Sequence, residues 1–295
     1  CDMEHRNQVE FEVTGAYGLF SDPVMRVGGE KCSLQVPTYE ALKGILASVY
    51  WKPTLIWYID AVRIMHPIQT EVKGIRPITY NGKNDLSFYT YLKDCRYQVR
   101  AHFEWNENRP ELAGDRNEHK HHNIAKRMIE RGGRRDVFLG ARECQGYVTP
   151  CVFGEEAGCY DQTPELAFGL MYHGITYADE AYSDDTRGRM SVRFWYPVMR
   201  QGVIAFDRPE QCPITRPVRE MECKPFGAAL ETFIGAEEFG RAGGRALRRR
   251  KGTADPVVAH DGQRSYRDNL EHGWPFSERR AGAKRGLQDH HSGYC

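Results

Sequence analysis

No apolar run in this sequence approaches the roughly eighteen residues of a membrane-spanning helix, so no membrane association is expected. No charged-then-apolar leader opens the chain, and export is not expected either. The nine cysteines form no CxxC pair, which argues against a zinc ribbon or a dithiol redox motif. At scattered spacings in a chain of 295 residues they read as reduced thiols of a cytoplasmic protein. There is no GxGxxG, no P-loop, no HExxH and no GxSxG, so the common dinucleotide, nucleotide, zincin and serine-hydrolase signatures are absent. A charge excess is missing as well, since 41 Lys and Arg stand against 40 Asp and Glu. A nucleic-acid partner is normally announced by a basic domain. Any phosphate-binding surface here must be a local patch.

What is present is a globular composition, 40% apolar and 12% aromatic. Val9–Val13 reads as a strand ended by Gly15. Pro37-Thr38 opens a helix through Val49, with Leu42, Ile45, Leu46 and Val49 at i, i+3, i+4, i+7. Thr54–Met65 is rich in β-branched and aromatic residues and reads as a strand, followed by a loop with Gly74, Pro77 and Asn81-Gly82. Tyr89–Trp105 contains the next strand. Asp115–Arg131 is a helix, with Asp115 and Glu118 at capping-box spacing and Gly132-Gly133 as its stop. A strand follows near Gly146–Phe153. The order β-α-β-β-α-β is the ferredoxin-like pattern that also underlies the RNA-recognition motif.

Three further strands, Leu166–Thr176, Met190–Met199 and Val203–Phe206, suggest a small antiparallel sheet. The expected architecture is therefore α+β. A ferredoxin-like domain spans residues 8–155, a small antiparallel β-sheet domain spans 156–223, and a disordered basic Gly/Arg-rich tail spans 224–295. That tail carries 13 Lys and Arg against 9 Asp and Glu, and holds the run Arg248-Arg249-Arg250-Lys251.

The second helix contains His119-Lys120-His121-His122. At about 100° per residue, His121 falls on the apolar stripe made by Ile124, Ala125, Met128 and Ile129. A titratable group thus occupies a position where the pattern asks for an apolar one. It can be a hydrogen-bonded histidine at the edge of the core. It can instead be a general acid–base group beside a lysine, suited to phosphate esters, although the residues by themselves favour the first reading. His119 and His122 have an i, i+3 spacing, but no third zinc ligand is placed by the sequence. RNA carries its own nucleophile, the 2′-hydroxyl, so His, Lys and Tyr suffice to cut it without a metal. Tyr50 borders the apolar stripe of the first helix, four residues after Leu46, and can approach His121 if both helices cover one sheet face. Arg134 and Arg135, after Gly132-Gly133, can grip phosphates or simply complement a helix C-terminus. Lys31, in Gly28-Gly29-Glu30-Lys31, sits in a turn where backbone can approach RNA.

The stretches DPVMRVGGEKCSLQVPTYEALKGILASVYWKP, IQTEVKGIRPI, YTYLKDCRYQVRAHFEWNENRPELAGDRNEHKHHNIAKRMIERGGRRDVFLGARECQGYV and CPITRPVREME resemble CRISPR-associated proteins of Cas family five, Dvulg subtype, from type I-C systems. The resemblance covers residues 8–224. It implies a ferredoxin-like domain with a small C-terminal sheet, and a metal-independent endoribonuclease that cuts CRISPR repeat RNA beside its hairpin. It implies retention on the 5′ handle of the mature guide RNA within the type I-C Cascade complex. The implied partners are its backbone and large subunits, with a DNA contact inside the complex. The family's catalytic tyrosine falls on Tyr50, within SVYWKP, and its Lys-His pair on Lys120 and His121, within DRNEHKHHN. No cofactor is implied. Many proteins of the wider family instead cap the 5′ handle without cutting, and that is the alternative reading.

Overall fold

Apolar and polar residues alternate along Ser87–Trp105, and this pattern builds a 19-residue strand on which the other strands assemble. The computed structural model describes residues 6–21, 30–77 and 85–223. The tail after residue 223, Gly28-Gly29 and Asn81-Gly82 lie outside the described residues. In chain order the strands and α-helices are β1 (Gln8–Gly18), β2 (Lys31–Cys32), α1 (Tyr39–Val49), β3 (Leu55–Ile64), β4 (Thr70–Ile75), β5 (Ser87–Trp105), α2 (Glu118–Glu130), β6 (Val137–Phe138), β7 (Gln145–Pro150), β8 (Leu166–Ala167), β9 (Met171–Thr176), β10 (Arg189–Trp195), β11 (Val198–Arg200), β12 (Val203–Ala205) and β13 (Ile214–Glu220). The large sheet runs β6-β7-β1-β5-β3-β12-β11-β8, with β2 and β4 also on β5. A smaller sheet runs β13-β10-β9. Every pairing is antiparallel except that of β2 with β5. The fold is mixed α and β, mostly antiparallel sheet with few helices.

One face of the sheet presents Val9, Phe11 and Val13 from β1, Leu55, Trp57 and Ile59 from β3, and Val99, Ala101 and Phe103 from β5, all buried. Helix α1 covers it with Tyr39, Leu42, Ile45, Leu46 and Val49, as its spacing predicts, and is capped by Thr38, whose side chain accepts from the Ala41 N–H. Helix α2 turns His121, Ala125 and Ile129 inward. Among the described residues no helix is long and apolar enough to cross a membrane, and Cys32, Cys95, Cys144, Cys151, Cys159, Cys212 and Cys223 are unbridged.

Several boundaries differ from expectation, each for a local reason. Gly15 does not end β1, which continues to Gly18. Its missing side chain admits Leu139, whose Cδ1 would lie 2.8 Å from a Cβ there, so this glycine serves close approach rather than a turn. Gly74 lies within β4 instead of a loop, paired to Phe88. Helix α2 is capped by Asn117, whose side chain accepts from the Lys120 N–H; Asp115 ends a preceding 3-10 turn. The expected strand Met190–Met199 breaks before Pro197 into β10 and β11, which join different sheets. The expected strand at Val203–Phe206 belongs to the large sheet, where β12 pairs with β3.

The joint between α1 and the smaller sheet is a buried polar cluster. Tyr39 stacks on His173 at 4.3 Å between ring centroids. His173 donates from Nε2 to the Asp207 carbonyl at 3.0 Å, and its Nδ1 faces the Arg193 Nε at 3.4 Å. Arg193 donates in turn to Thr176, and Glu40 accepts from the Ile175 N–H at 3.1 Å. Burial, reinforced by the Arg193 cation, pushes the His173 pKa down to about 3. The unfolded chain takes a proton on this ring below about pH 6.5, whereas the folded chain refuses it. The stability contribution is therefore complete above that pH and falls as the solution is acidified toward the folded value. The expected slope is about 1.4 kcal/mol per pH unit from this residue alone. Denaturant titrations of wild type and His173→Gln between pH 7 and 4 should differ in pH slope by roughly that amount. Parallel curves would show that His173 is not the titrating group.

Candidate active site

The C-terminus of α1, the start of α2 and the end of β5 meet at one corner of the helical layer. Tyr50 is the C-cap of α1, in extended conformation, with its N–H bonded to the Leu46 carbonyl. Its own carbonyl accepts the Trp57 indole N–H at 2.8 Å, which fixes the chain as it turns into β3. His121 lies in the first turn of α2 and has no exposed surface. Its ring packs edge-on against Trp105 and Phe103, with centroids 5.6 and 6.3 Å away.

Both ring nitrogens are engaged. Nε2 lies 2.8 Å from the backbone carbonyl of Asp115, and Nδ1 lies 2.7 Å from the Tyr50 hydroxyl. A carbonyl only accepts, so Nε2 carries the hydrogen. In the neutral ring Nδ1 then has a free lone pair and accepts the Tyr50 O–H. Burial raises the Tyr50 pKa to about 12, the nearby Asp115 charge adds to the rise, and Arg134 opposes it. The phenol therefore stays protonated near neutral pH.

Lys120 points outward, its side chain about half exposed, and its ammonium donates to the Asp115 carboxylate. The second carboxylate oxygen accepts from Thr54 Oγ1 at 2.9 Å and lies 3.5 Å from His121 Nε2. The Lys120 ammonium, helped by Thr54, holds the Asp115 carboxyl below the usual range. Tyr50, Lys120 and His121 are thus brought together, and the residue joining them is Asp115. Sequence spacing assigned Asp115 to the helix cap and missed it.

Gly132 and Gly133 adopt positive φ, 78° and 108°, which reverses the chain after α2. The Arg135 N–H then bonds the Ser48 carbonyl at 3.2 Å, which brings exposed Arg134 and Arg135 beside the end of α1. Lys31 is elsewhere. It lies over the Tyr89 ring at 4.9 Å, at the end of β5 opposite Trp105. His122 donates to the Gln8 carbonyl at 3.0 Å, His119 is exposed, and among the described residues no three His, Cys, Asp or Glu side chains are grouped to hold a metal.

The family model described as CRISPR-associated protein (Cas_Cas5) matches residues 8–207. The chain belongs to the Cas5d family of CRISPR-associated proteins. A solved structure of a CRISPR-associated protein is similar, with 33% identity and a TM-score of 0.60, covering 71% of this chain and 96% of its own. A functionally uncharacterized protein from Streptococcus mutans is similar at 34% identity and TM-score 0.59, with the same coverages. Two curated Cas5d relatives carry the name CRISPR pre-crRNA endoribonuclease. The one from Mannheimia succiniciproducens is 37% identical over 106 residues, 32% of this chain and 46% of the relative. The one from Thermus thermophilus is 28% identical over 153 residues, 48% of this chain and 64% of the relative. The chain therefore spans between about half and two thirds of the length of the curated Cas5d relatives it matches.

The first turn of α2 carries both Lys120 and His121, so its cap controls the site. Asn117→Ala should lower stability by about 1 kcal/mol, read as a shift of the urea midpoint at unchanged slope. Asn117→Asp should restore it, because aspartate caps equally well. A neutral alanine variant would show that the cap contributes nothing.

Proposed function

We propose that this chain is a metal-independent endoribonuclease that cleaves CRISPR repeat RNA beside its hairpin and then holds the 5′ handle within the type I-C surveillance complex. The observation that carries the reading is the bonded chain Tyr50–His121–Asp115–Lys120, because it pairs a proton acceptor with a half-exposed cation at one corner of the fold. The names of the curated relatives support the same substrate class. The sheet order β7-β1-β5-β3, with α1 and α2 on one face, supports a ferredoxin-like assignment for residues 8–155. Residues 156–223 would form the smaller second domain, although β8, β11 and β12 return to the large sheet.

In the proposed reaction the RNA 2′-oxygen attacks the adjacent phosphorus as its proton is removed. The bond from phosphorus to the 5′-oxygen breaks, and that oxygen leaves with the proton that His121 took up, returned through the Tyr50 hydroxyl, so that the imidazole ends neutral. The products end in a 2′,3′-cyclic phosphate and a 5′-hydroxyl. His121 is the leading acid–base group. Being sealed from solvent, it exchanges protons with RNA through the Tyr50 hydroxyl, which gives its own proton to Nδ1 as it accepts another. Tyr50 is itself only 3% exposed, so RNA must first open the cover over its hydroxyl. Lys120 stabilises the negative charge that grows on phosphorus. Arg134 and Arg135 grip flanking phosphates beside the end of α1, while Lys31 offers a contact remote from the cut. The assembly partners are the backbone and large subunits, with a DNA contact in the assembled complex, and the place of action is the cytoplasm.

A second reading has an observation of its own. The complete burial of His121, with both nitrogens bonded, also suits a non-catalytic subunit that caps the 5′ handle. Single-turnover cleavage of cognate repeat RNA separates the two. On the enzyme reading, His121→Ala slows cutting by about 10²–10⁴-fold while repeat-RNA affinity, spread over many phosphate contacts, is nearly unchanged. A 2′-deoxy substitution at the cut site abolishes cleavage, and excess chelator has no effect. Undiminished cutting by the variant would remove His121 from the mechanism, and no cutting by wild type would leave the capping role.

A further inference from the structure

We propose that Asp115 is the positioning residue of this site, fixing which nitrogen of His121 takes the proton and where the Lys120 ammonium waits. The inference rests on the endoribonuclease reading above. Asp115 touches both partners with different atoms. Its backbone carbonyl accepts the His121 Nε2–H at 2.8 Å, and its carboxylate accepts from Lys120 and from Thr54 Oγ1. The Thr54 bond anchors the carboxylate to the residue just before β3, so the carbonyl and carboxylate are held from two sides. Among the described residues the acceptor bonded to Nε2–H is the Asp115 carbonyl, and the carboxylate of the same residue lies next to it at 3.5 Å.

Three consequences follow from that geometry. With Nε2–H committed to Asp115, only Nδ1 can act on a proton, and Nδ1 faces Tyr50. When Nδ1 takes the phenolic proton, as the phenol oxygen accepts the one from the RNA 2′-hydroxyl, an imidazolium forms. The Asp115 carboxylate stands 3.5 Å from Nε2 and balances that new charge, as the buried carboxylate does in a Ser-His-Asp triad. The proton count is kept: one leaves the 2′-oxygen, one crosses from phenol to imidazole, and the phenol ends as it began. Meanwhile Asp115 keeps Lys120 close to the reacting corner in a half-exposed pair that a phosphate oxygen can replace. Asp115 itself need not touch RNA.

The test uses the full chain, cognate CRISPR repeat RNA and four measurements: single-turnover cleavage, RNA affinity, thermal midpoint and the imidazole nitrogen NMR spectrum. In wild type the His121 resonances, assigned by their loss in His121→Ala, should report the Nε2–H tautomer. Asp115→Asn keeps the carbonyl and the side-chain shape but removes the charge. It should slow cleavage about ten- to a hundredfold, less than loss of the proton-transfer group itself, with RNA affinity within about threefold of wild type. Thr54→Val removes only the anchor. It should slow cleavage by a smaller factor, about threefold to tenfold, on the same grounds, and it serves if Asp115→Asn does not fold. An Nδ1–H tautomer in wild type overturns the proposal. So does cleavage at wild-type rate by folded Asp115→Asn, or by Thr54→Val if only that variant folds. A rate loss matched by equal loss of RNA affinity would also overturn it, since Asp115 would then be a binding residue. If wild type cuts no repeat RNA, the endoribonuclease reading fails first, and the tautomer measurement shows separately whether Asp115 holds His121 as described.

Discussion

A fully buried imidazole in an aromatic setting has two polar nitrogens that water cannot reach, and leaving one unpaired costs about 1–3 kcal/mol. At His121 this constraint is met by two distant parts of the chain. The Tyr50 hydroxyl comes from the end of α1, and the Asp115 carbonyl comes from the turn before α2. Meeting it fixes how the two helices sit over the end of β5, since a shift of either would strand a nitrogen. The aromatic wall of Trp105 and Phe103 makes the demand strict, and Trp57 secures Tyr50 from behind through the carbonyl. Geometry useful for proton transfer is, in the first place, how a polar residue becomes tolerable in the core.

The near-zero net charge has a structural counterpart on the other face of the sheet. There Arg100 pairs with Glu10, Arg96 with Glu12 and Glu156, and Arg63 with Asp161, while His102 bonds Asp60. The segment after β7 lies against this face, with the Phe153 N–H on Glu10 and the Gly154 N–H on Gln98. These mostly part-buried pairs leave few cations free on that face. Arg134 and Arg135, by contrast, form no ion pair among the described residues. Acidic partners thus cancel basic residues where the sheet is covered, and local positive charge survives beside the end of α1 and Tyr50. A whole-chain sum could not show that contrast.

Short-range patterns were legible and long-range pairings were not. The stripe Leu42, Ile45, Leu46, Val49 and the Thr38 cap specify α1 from adjacent residues alone. The misfit of His121 on the apolar face of α2 was legible, and its burial follows from helical periodicity. Asp115 was misread because Asp115/Glu118 and Asn117/Lys120 both offer cap spacing, and nothing local ranks them. Its deciding partner, Thr54, is 61 residues away. The three residues of β12 likewise carry no pattern that tells which sheet will receive them. Their assignment to β3 depends on the break before Pro197 and the turn at Gln201-Gly202, both at positive φ. Lys31 was nominated through its glycine neighbours, and only the register of β2 on β5 shows how far it lies from Tyr50.

Access sets the terms for any chemistry at this corner. His121 is sealed and Tyr50 is itself only 3% exposed, so under the proposed mechanism Nδ1 is reached through the Tyr50 hydroxyl, the one group bonded to it among the described residues, once RNA opens its cover. Its pKa, raised to about 12, excludes a standing phenolate at neutral pH, because ionisation would place a negative charge in a buried site near Asp115. A neutral phenol can still donate and accept at once, and that dual capacity is what a relay requires. Lys120 faces the opposite condition. It is half exposed and paired, and separating such a pair costs only about 0.2–1 kcal/mol. Under the same mechanism an arriving phosphate draws the ammonium away from Asp115. The same substrate would find the histidine unmoved, since its two bonds and aromatic wall are all inside the fold. Under the proposed mechanism one member of the site yields to RNA and the other does not, a division that follows from burial.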